Sequence, residues 1–211
     1  MKSLIVPHLK GVSSDSSLSA ISLQLDNVTK QKIGYTPWAD YTSKPNVSFS
    51  IAYSDDCLFL KYEVEEKTIR AVNTIINSPV YEDSCVEFFI GFDDTGYYNF
   101  EFNCIGNRLA EFGKGKKGRE LLPEVLLKKI KSQAVVIQNG DRNVSWQLTV
   151  VILLEIFIHH RLSALRDKQC RVNFCKCGDL LPEPHFVTWS NIESDEPNFH
   201  LPEFFGTVVF E

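Results

Sequence analysis

Apolar and polar residues alternate with a period of two along much of this chain, which is the pattern of strands that bury one face. Val47-Ser48-Phe49-Ser50-Ile51-Ala52-Tyr53 alternates, Ser54-Asp55-Asp56 supplies turn residues, and residues 57–64 return, which predicts a hairpin. A second hairpin is predicted from residues 84–92, a turn at Asp93-Asp94-Thr95-Gly96, and residues 97–104. Its returning strand places Phe100 and Phe102 on one face and Asn99, Glu101 and Asn103 on the other. Further strands are predicted at residues 134–138, 144–151, 171–176, 186–189 and 206–210, divided by Asn139-Gly140-Asp141 and by proline-rich loops. Helical signal is thin: residues 120–130 contain Pro123, and residues 153–160 are long enough only for a short helix. The sum predicts an all-β fold, an antiparallel sandwich of two packed sheets in a jelly-roll-like arrangement, with one or two short helices.

Composition narrows the class. A chain of 211 residues that is 44% hydrophobic is expected to bury one core as a single domain. The net charge of -5, with both signs mixed along the chain, provides no basic field for nucleic acid. The longest apolar run, residues 148–158, is broken by Thr149 and Glu155 and is too short to span a bilayer as a helix. Pro7 and His8 interrupt the first apolar stretch, so no signal-peptide core is visible. The expected location is cytoplasmic as written, and periplasmic or extracellular if a leader has been removed. Six cysteines sit mostly in apolar alternating stretches, which predicts buried reduced thiols. Cys175-Lys176-Cys177 lacks the second pair that a zinc site needs. The run from Gly113 to Gly118 lacks the ending of a phosphate-binding loop and reads as a solvated basic loop.

Three segments carry a family resemblance. They are Asn77-Ser78-Pro79-Val80-Tyr81-Glu82-Asp83-Ser84-Cys85-Val86-Glu87-Phe88-Phe89-Ile90, the following strand Tyr97-Tyr98-Asn99-Phe100-Glu101-Phe102-Asn103, and a tail with Val187-Thr188-Trp189-Ser190 and Asn198-Phe199-His200-Leu201-Pro202-Glu203-Phe204-Phe205-Gly206. In order and spacing they resemble the family 9 carbohydrate-binding modules. The resemblance implies a β-sandwich that binds a mono- or oligosaccharide without cleaving it, in the service of polysaccharide breakdown. It implies a sugar held between two aromatic rings, which by position are Tyr81 and Phe199, where other members carry larger tryptophans. Glu101 stands where a family member carries a ligand-binding arginine. No cofactor is implied; calcium stays open as a structural ion because it stabilises some members, although Asp93-Asp94 lacks a recognisable ligand set.

An aromatic plane covers the C–H face of a sugar while carboxylates and amides take its hydroxyl rim. Tyr81 and Phe199 suit the first role because both lie in loops beside proline and acidic residues. Glu82, Asp83, Glu101, Asn103, Asn173, Lys176 and His200 are the candidates for the second, with Asp179 and His185 near enough in sequence to join them. The structural alternative makes Glu87 and Glu101 cross-strand partners of Arg or Lys. Trp38 reads as a plug at one end of the sandwich, and Trp146 and Trp189 as core. Two rival functions remain at this level: a glycoside hydrolase with Glu87 and Glu101 as its carboxylate pair, and a sandwich that has lost its sugar and binds protein. Haem held by methionine and histidine is disfavoured, since the only methionine is Met1.

Overall fold

The computed structural model of the protein describes residues 2–139 and 143–211. Of the turn expected at Asn139-Gly140-Asp141, Gly140 and Asp141 lie outside the described residues, as does Met1. The elements in chain order are β1 (Ser3–Val6), α1 (Leu18–Asp26), β2 (Gln31–Ile33), β3 (Asn46–Tyr53), β4 (Cys57–Glu66), β5 (Cys85–Asp93), β6 (Gly96–Asn103), β7 (Arg108–Gly113) and β8 (Glu120–Leu121). They continue with α2 (Glu124–Leu127), β9 (Lys131–Asn139), β10 (Asn143–Leu153), β11 (Gln169–Cys177), β12 (Phe186–Thr188) and β13 (Gly206–Phe210). The larger sheet runs β1-β13-β11-β5-β6-β7-β8, with β12 also paired to β11, and the smaller runs β2-β3-β4-β10-β9. All the strands predicted by alternation are present.

The structure departs from the prediction at several elements, among them the short strands β2 and β8, which were not predicted. β1 pairs with β13 in parallel, Ser3 opposite Thr207, in a sandwich expected to be antiparallel. Helix α1 was not predicted: Ser17 caps it, its hydroxyl accepting from the Ala20 amide at 3.2 Å, and Ile21 and Leu25 pin it to the outer face of the smaller sheet. β7 was missed because six residues carry too little alternation to stand out. The helix expected at 153–160 is a single 3-10 turn, Leu154–Ile156, because β10 continues to Leu153.

Two glycines are required by their surroundings. Gly96 ends the β5–β6 turn at φ +155°, where a Cβ would lie 2.8 Å from the Phe112 ring. A Cβ at Gly206 would lie 2.5 Å from the Trp189 indole. The sheets enclose a core of Phe88, Phe100, Phe102 and Phe174 from one side and Phe49, Tyr62, Trp146 and Leu148 from the other. Phe49 stacks on Phe174 across the interface with centroids 3.6 Å apart. Trp146 and Trp189 are core, as expected, and all six cysteines are buried.

Lys176 belongs to this interior. It shares the inward parity of Val172 and Phe174 on β11, so it points between the sheets and is 0% exposed. Its ammonium forms an ion pair with Glu66 of β4 at 3.0 Å, donates to the Cys177 carbonyl at 2.7 Å, and lies 2.8 Å from His185 Nε2. Burial and then the Lys176 charge lower the His185 pKa to about 3, so the ring is neutral. Its Nδ1–H faces the Glu183 carbonyl at 3.2 Å, which leaves Nε2 to accept from Lys176. Trp146 donates to the other Glu66 oxygen at 2.6 Å.

A buried charge stripped of its partner is costly. Lys176→Met should therefore destabilise the protein by about 3–5 kcal/mol in urea unfolding. Lys176→Met/Glu66→Gln, which removes the stranded charge and keeps an acceptor for Trp146, should recover most of that loss. Equal destabilisation by the single and double variants would contradict the assignment.

Candidate functional site

The outward residues of three adjacent strands create the site. Glu87 of β5 lies opposite Glu101 of β6, Glu101 opposite Leu109 of β7, and Glu87 opposite Cys175 of β11. Part of this outer face is apolar: Phe89, Tyr97 and Cys175 are covered by Ile192, Phe199 and Phe205 from the chain between β12 and β13. The remainder is a cavity of about 420 Å³ lined by Tyr81, Glu87, Glu101, Glu111, Asp179 and Phe199, with Leu109, Phe186, Cys177, Lys116 and His200 around them.

Tyr81 sits on a one-turn 3-10 helix, Val80–Glu82, that begins after Pro79. Its carbonyl accepts from the Asp179 amide at 3.1 Å, and the Glu82 carbonyl accepts from Leu180 at 3.2 Å, so the loop after β11 is tied beside it. The Tyr81 side of the cavity is open, the residue being 39% exposed. Phe199 is different: at 6% exposed it packs against Trp38, centroids 5.8 Å apart, and Phe186 at 6.0 Å. Trp38 is buried and donates to the Ser194 carbonyl at 3.0 Å, as a plug should. The two rings expected to form matched faces are therefore unequal, with Tyr81 the accessible one.

Of the nine residues singled out from sequence, Tyr81, Phe199, Glu101 and His200 line the cavity. The other five do not. Asp83 accepts from Arg70, from the Val72 and Asn73 amides at 3.1 and 2.9 Å, and from Asn103 at 2.9 Å. Burial pushes its pKa up, but these bonds outweigh it and hold the carboxyl below its ordinary value. Asn103 also donates to the Asn73 carbonyl and accepts from the Asn107 amide, so the Asp83–Asn103 pair is a clasp for the loop before β5. Asn173 accepts from the Ser190 amide at 2.9 Å and anchors the covering segment. Lys176 is in the core, and Glu82 is not among the lining residues. Glu111, Lys116 and Phe186 were missed; the first lies on the unrecognised β7.

The cavity is rich in acceptors. Asn99 donates to Glu101 at 2.8 Å and faces Glu87 at 3.3 Å, and Cys177 donates to Glu87 at 3.2 Å. No Arg or Lys forms an ion pair with Glu87 or Glu101 among the described residues, contrary to the cross-strand expectation. Arg119 is committed elsewhere: it bonds Glu111 at 3.2 Å and lies over the Tyr97 ring at 4.5 Å. Glu101 Oε2 is buried with no hydrogen-bond partner. Burial raises the Glu87 pKa to about 7, with Asp179 adding to it. Burial and then the Glu87 charge push Glu101 well above the ordinary range. Asp179 is raised to about 6, first by burial. His200, 3.2 Å from the Tyr97 hydroxyl, is lowered to about 3 by burial and then by Arg119. The Asp93-Asp94 loop does not fit calcium: Thr95 caps Asp93 Oδ1 with two bonds, and Asp94 pairs with Arg171 at 3.0 Å. Among the described residues no three acidic, thiol or imidazole groups come together to hold a metal.

Residues 18–210 match the family described as carbohydrate-binding family 9. A crystal structure of a candidate carbohydrate-binding protein from Bacteroides uniformis is 37% identical with a TM-score of 0.91, covering 100% of this chain and 99% of that one. Two structures of a family 9 module from Caldicellulosiruptor kristjanssonii share the fold at lower identity. The one with glucose is 14% identical, TM-score 0.65, covering 100% of this chain and 96% of that one. The one with cellotriose is 12% identical, TM-score 0.63, covering 100% and 94%. No curated protein matches.

Two outcomes follow from this geometry. Because Glu87 and Glu101 hold protons more tightly folded than unfolded, their contribution to stability is full below about pH 4.5; the share of Glu87 is lost as pH rises through about 7, and that of Glu101, whose carboxyl burial and the Glu87 charge push well above the ordinary range, falls away with rising pH in the same sense. Between pH 5 and pH 8 the wild type should lose on the order of 3 kcal/mol more than Glu87→Gln/Glu101→Gln in urea midpoint series. Parallel profiles would contradict the assignment. Phe199→Ala should cost about 3 kcal/mol of stability, since it empties a packed aromatic site; an unchanged melting temperature would show that the ring is not packed there.

Proposed function

The chain belongs to carbohydrate-binding family 9, and on that premise we propose that the cavity under Tyr81 holds its sugar. The protein binds carbohydrate and does not cleave it. The observation that carries the assignment of the site is the pairing of an accessible aromatic ring with a buried, partnerless carboxylate oxygen, Tyr81 and Glu101 Oε2, in one cavity. A hexose laid on Tyr81 removes its C–H face from water, while Glu87, Glu101 and Asp179 meet its hydroxyls. A cavity of about 420 Å³ suits one or two sugar units better than a long chain. The glucose and cellotriose bound by the Caldicellulosiruptor module support a hexose unit as the ligand.

The carboxylates are poorly disposed for glycosidic cleavage. Glu87 and Glu101 are cross-strand neighbours on the same face and meet the same Asn99 amide nitrogen, so they stand side by side instead of flanking a bond. The role we assign in polysaccharide breakdown is accordingly that of a holder, keeping a sugar or chain end near other proteins that cut.

Calorimetric titration with glucose, cellobiose and cellotriose tests the site. Micromolar-to-millimolar binding is expected, weakened at least about tenfold in Tyr81→Ala, with an unchanged melting temperature. Full-strength binding to a folded Tyr81→Ala would move the sugar elsewhere, and sugar release from cellotriose would contradict a pure binding role.

A further inference from the structure

We propose that this cavity selects a sugar bearing a free amino group, with the ammonium seated between Glu87 and Glu101; the proposal rests on the carbohydrate reading above. The starting point is an imbalance. Glu87, Glu101, Glu111 and Asp179 all line one cavity, and the first two are each only 4% exposed. The surrounding cations offset them only in part: the Arg119 charge pulls Glu87 and Glu101 down and the Lys116 charge pulls Asp179 down, yet burial leaves all three raised. From beside β7, Arg119 is spent on Glu111 and on the Tyr97 and Glu111 carbonyls. Lys116, from the loop before β8, is exposed at the edge. β11 offers the Cys177 thiol and β6 the Asn99 amide, both uncharged. The covering segment offers His200, held neutral by burial. The turn before β5 offers Tyr81, whose hydroxyl is kept protonated first by burial and then by the Glu101 charge.

Once Glu101 is ionised, acceptors also outnumber donors. Glu101 Oε2 and the adjacent Asn99 Oδ1 are buried without partners. A buried acceptor left unpaired costs free energy that a ligand can recover by supplying an N–H or O–H group. A hydroxyl supplies one donor and no charge, whereas an ammonium supplies three donors and the missing positive charge from one atom. A metal ion would supply the charge as well, but no metal-holding cluster exists among the described residues. The open Tyr81 face provides the rest of the recognition, accepting the ring C–H surface of a sugar. Seating the ammonium ionises Glu101, whose proton passes to the solvent. Binding and proton release are therefore linked.

Titration calorimetry with glucose, glucosamine and N-acetylglucosamine at pH 7, in two buffers of different ionisation enthalpy, tests this. Glucosamine should bind at least about tenfold more tightly than either neutral sugar, as replacing a neutral hydrogen bond with charge-assisted ones implies. Its heat should report roughly one proton released. The glucosamine-to-glucose ratio should shrink at pH 5, below the value of about 7 at which Glu87 ionises, and in Glu101→Gln at pH 7. The wild-type comparison decides the matter even if that variant fails to fold. Glucose and glucosamine binding within about twofold of each other would overturn the amino-sugar proposal and leave the carbohydrate reading intact, as would N-acetylglucosamine equal to glucosamine. Failure of all three sugars to bind would overturn both.

Discussion

The alternation of β5, β6 and β11 is the constraint from which both core and site follow. Val86, Phe88 and Ile90, Tyr98, Phe100 and Phe102, and Val172 and Phe174 face the smaller sheet, and their apolar area fixes the register. With that register set, Glu87 has no alternative to standing opposite Glu101 on the other face. A slip of one residue would carry both carboxylates into the sandwich and six aromatic or aliphatic side chains out of it. Like charges directly opposed across strands are unfavourable, so the fold holds this pair in place through burial elsewhere. The covering segment between β12 and β13 then shuts the apolar part of the outer face and leaves the acidic part open.

Two buried polar clusters lie on opposite faces of this sheet, and their difference separates structure from function. Around Lys176 the charges are matched: the ammonium pairs with the Glu66 carboxylate and meets a neutral imidazole, the indole donates to the other Glu66 oxygen, and the cluster joins β4 to β11. Such a cluster costs dearly if half of it is removed, yet it offers nothing to a ligand. Around Glu87 and Glu101 partners run short, because two carboxyl groups, both driven by burial to hold their protons more tightly, share one amide and one thiol while an oxygen goes unpaired. A ligand that brings donors completes that arrangement. Excess acceptors facing a cavity are thus the physical mark of the site, more so than the aromatic rings.

Much of the fold was legible in the sequence because hairpins announce themselves through local alternation and turn residues. α1 carried a readable signal in Ser17 and in the spacing of Leu18, Ile21 and Leu25, but with few apolar anchors it did not stand out from a loop. β1 was not legible, since its partner β13 lies at the other end of the chain. The site was half legible. Tyr81 and Glu101, named through their motif, line the cavity, whereas Asp83, Asn103 and Asn173 looked like ligands because polar residues near a motif do not reveal that loops elsewhere consume their hydrogen bonds. Lys176 was an avoidable misreading: it shares the parity of Phe174, and that places it inside. Glu111 was lost with β7, so the accumulation of negative charge appeared only in three dimensions.

The most direct test of the account is a crystal structure of the protein soaked with glucosamine. The sugar ring is expected against Tyr81, with its nitrogen within hydrogen-bond reach of Glu101 Oε2 and the Glu87 carboxylate. A sugar ordered elsewhere, for instance in the separate cavity lined by Lys2, Tyr35 and Glu203, with the Glu87–Glu101 cavity free of it, would contradict the central claim.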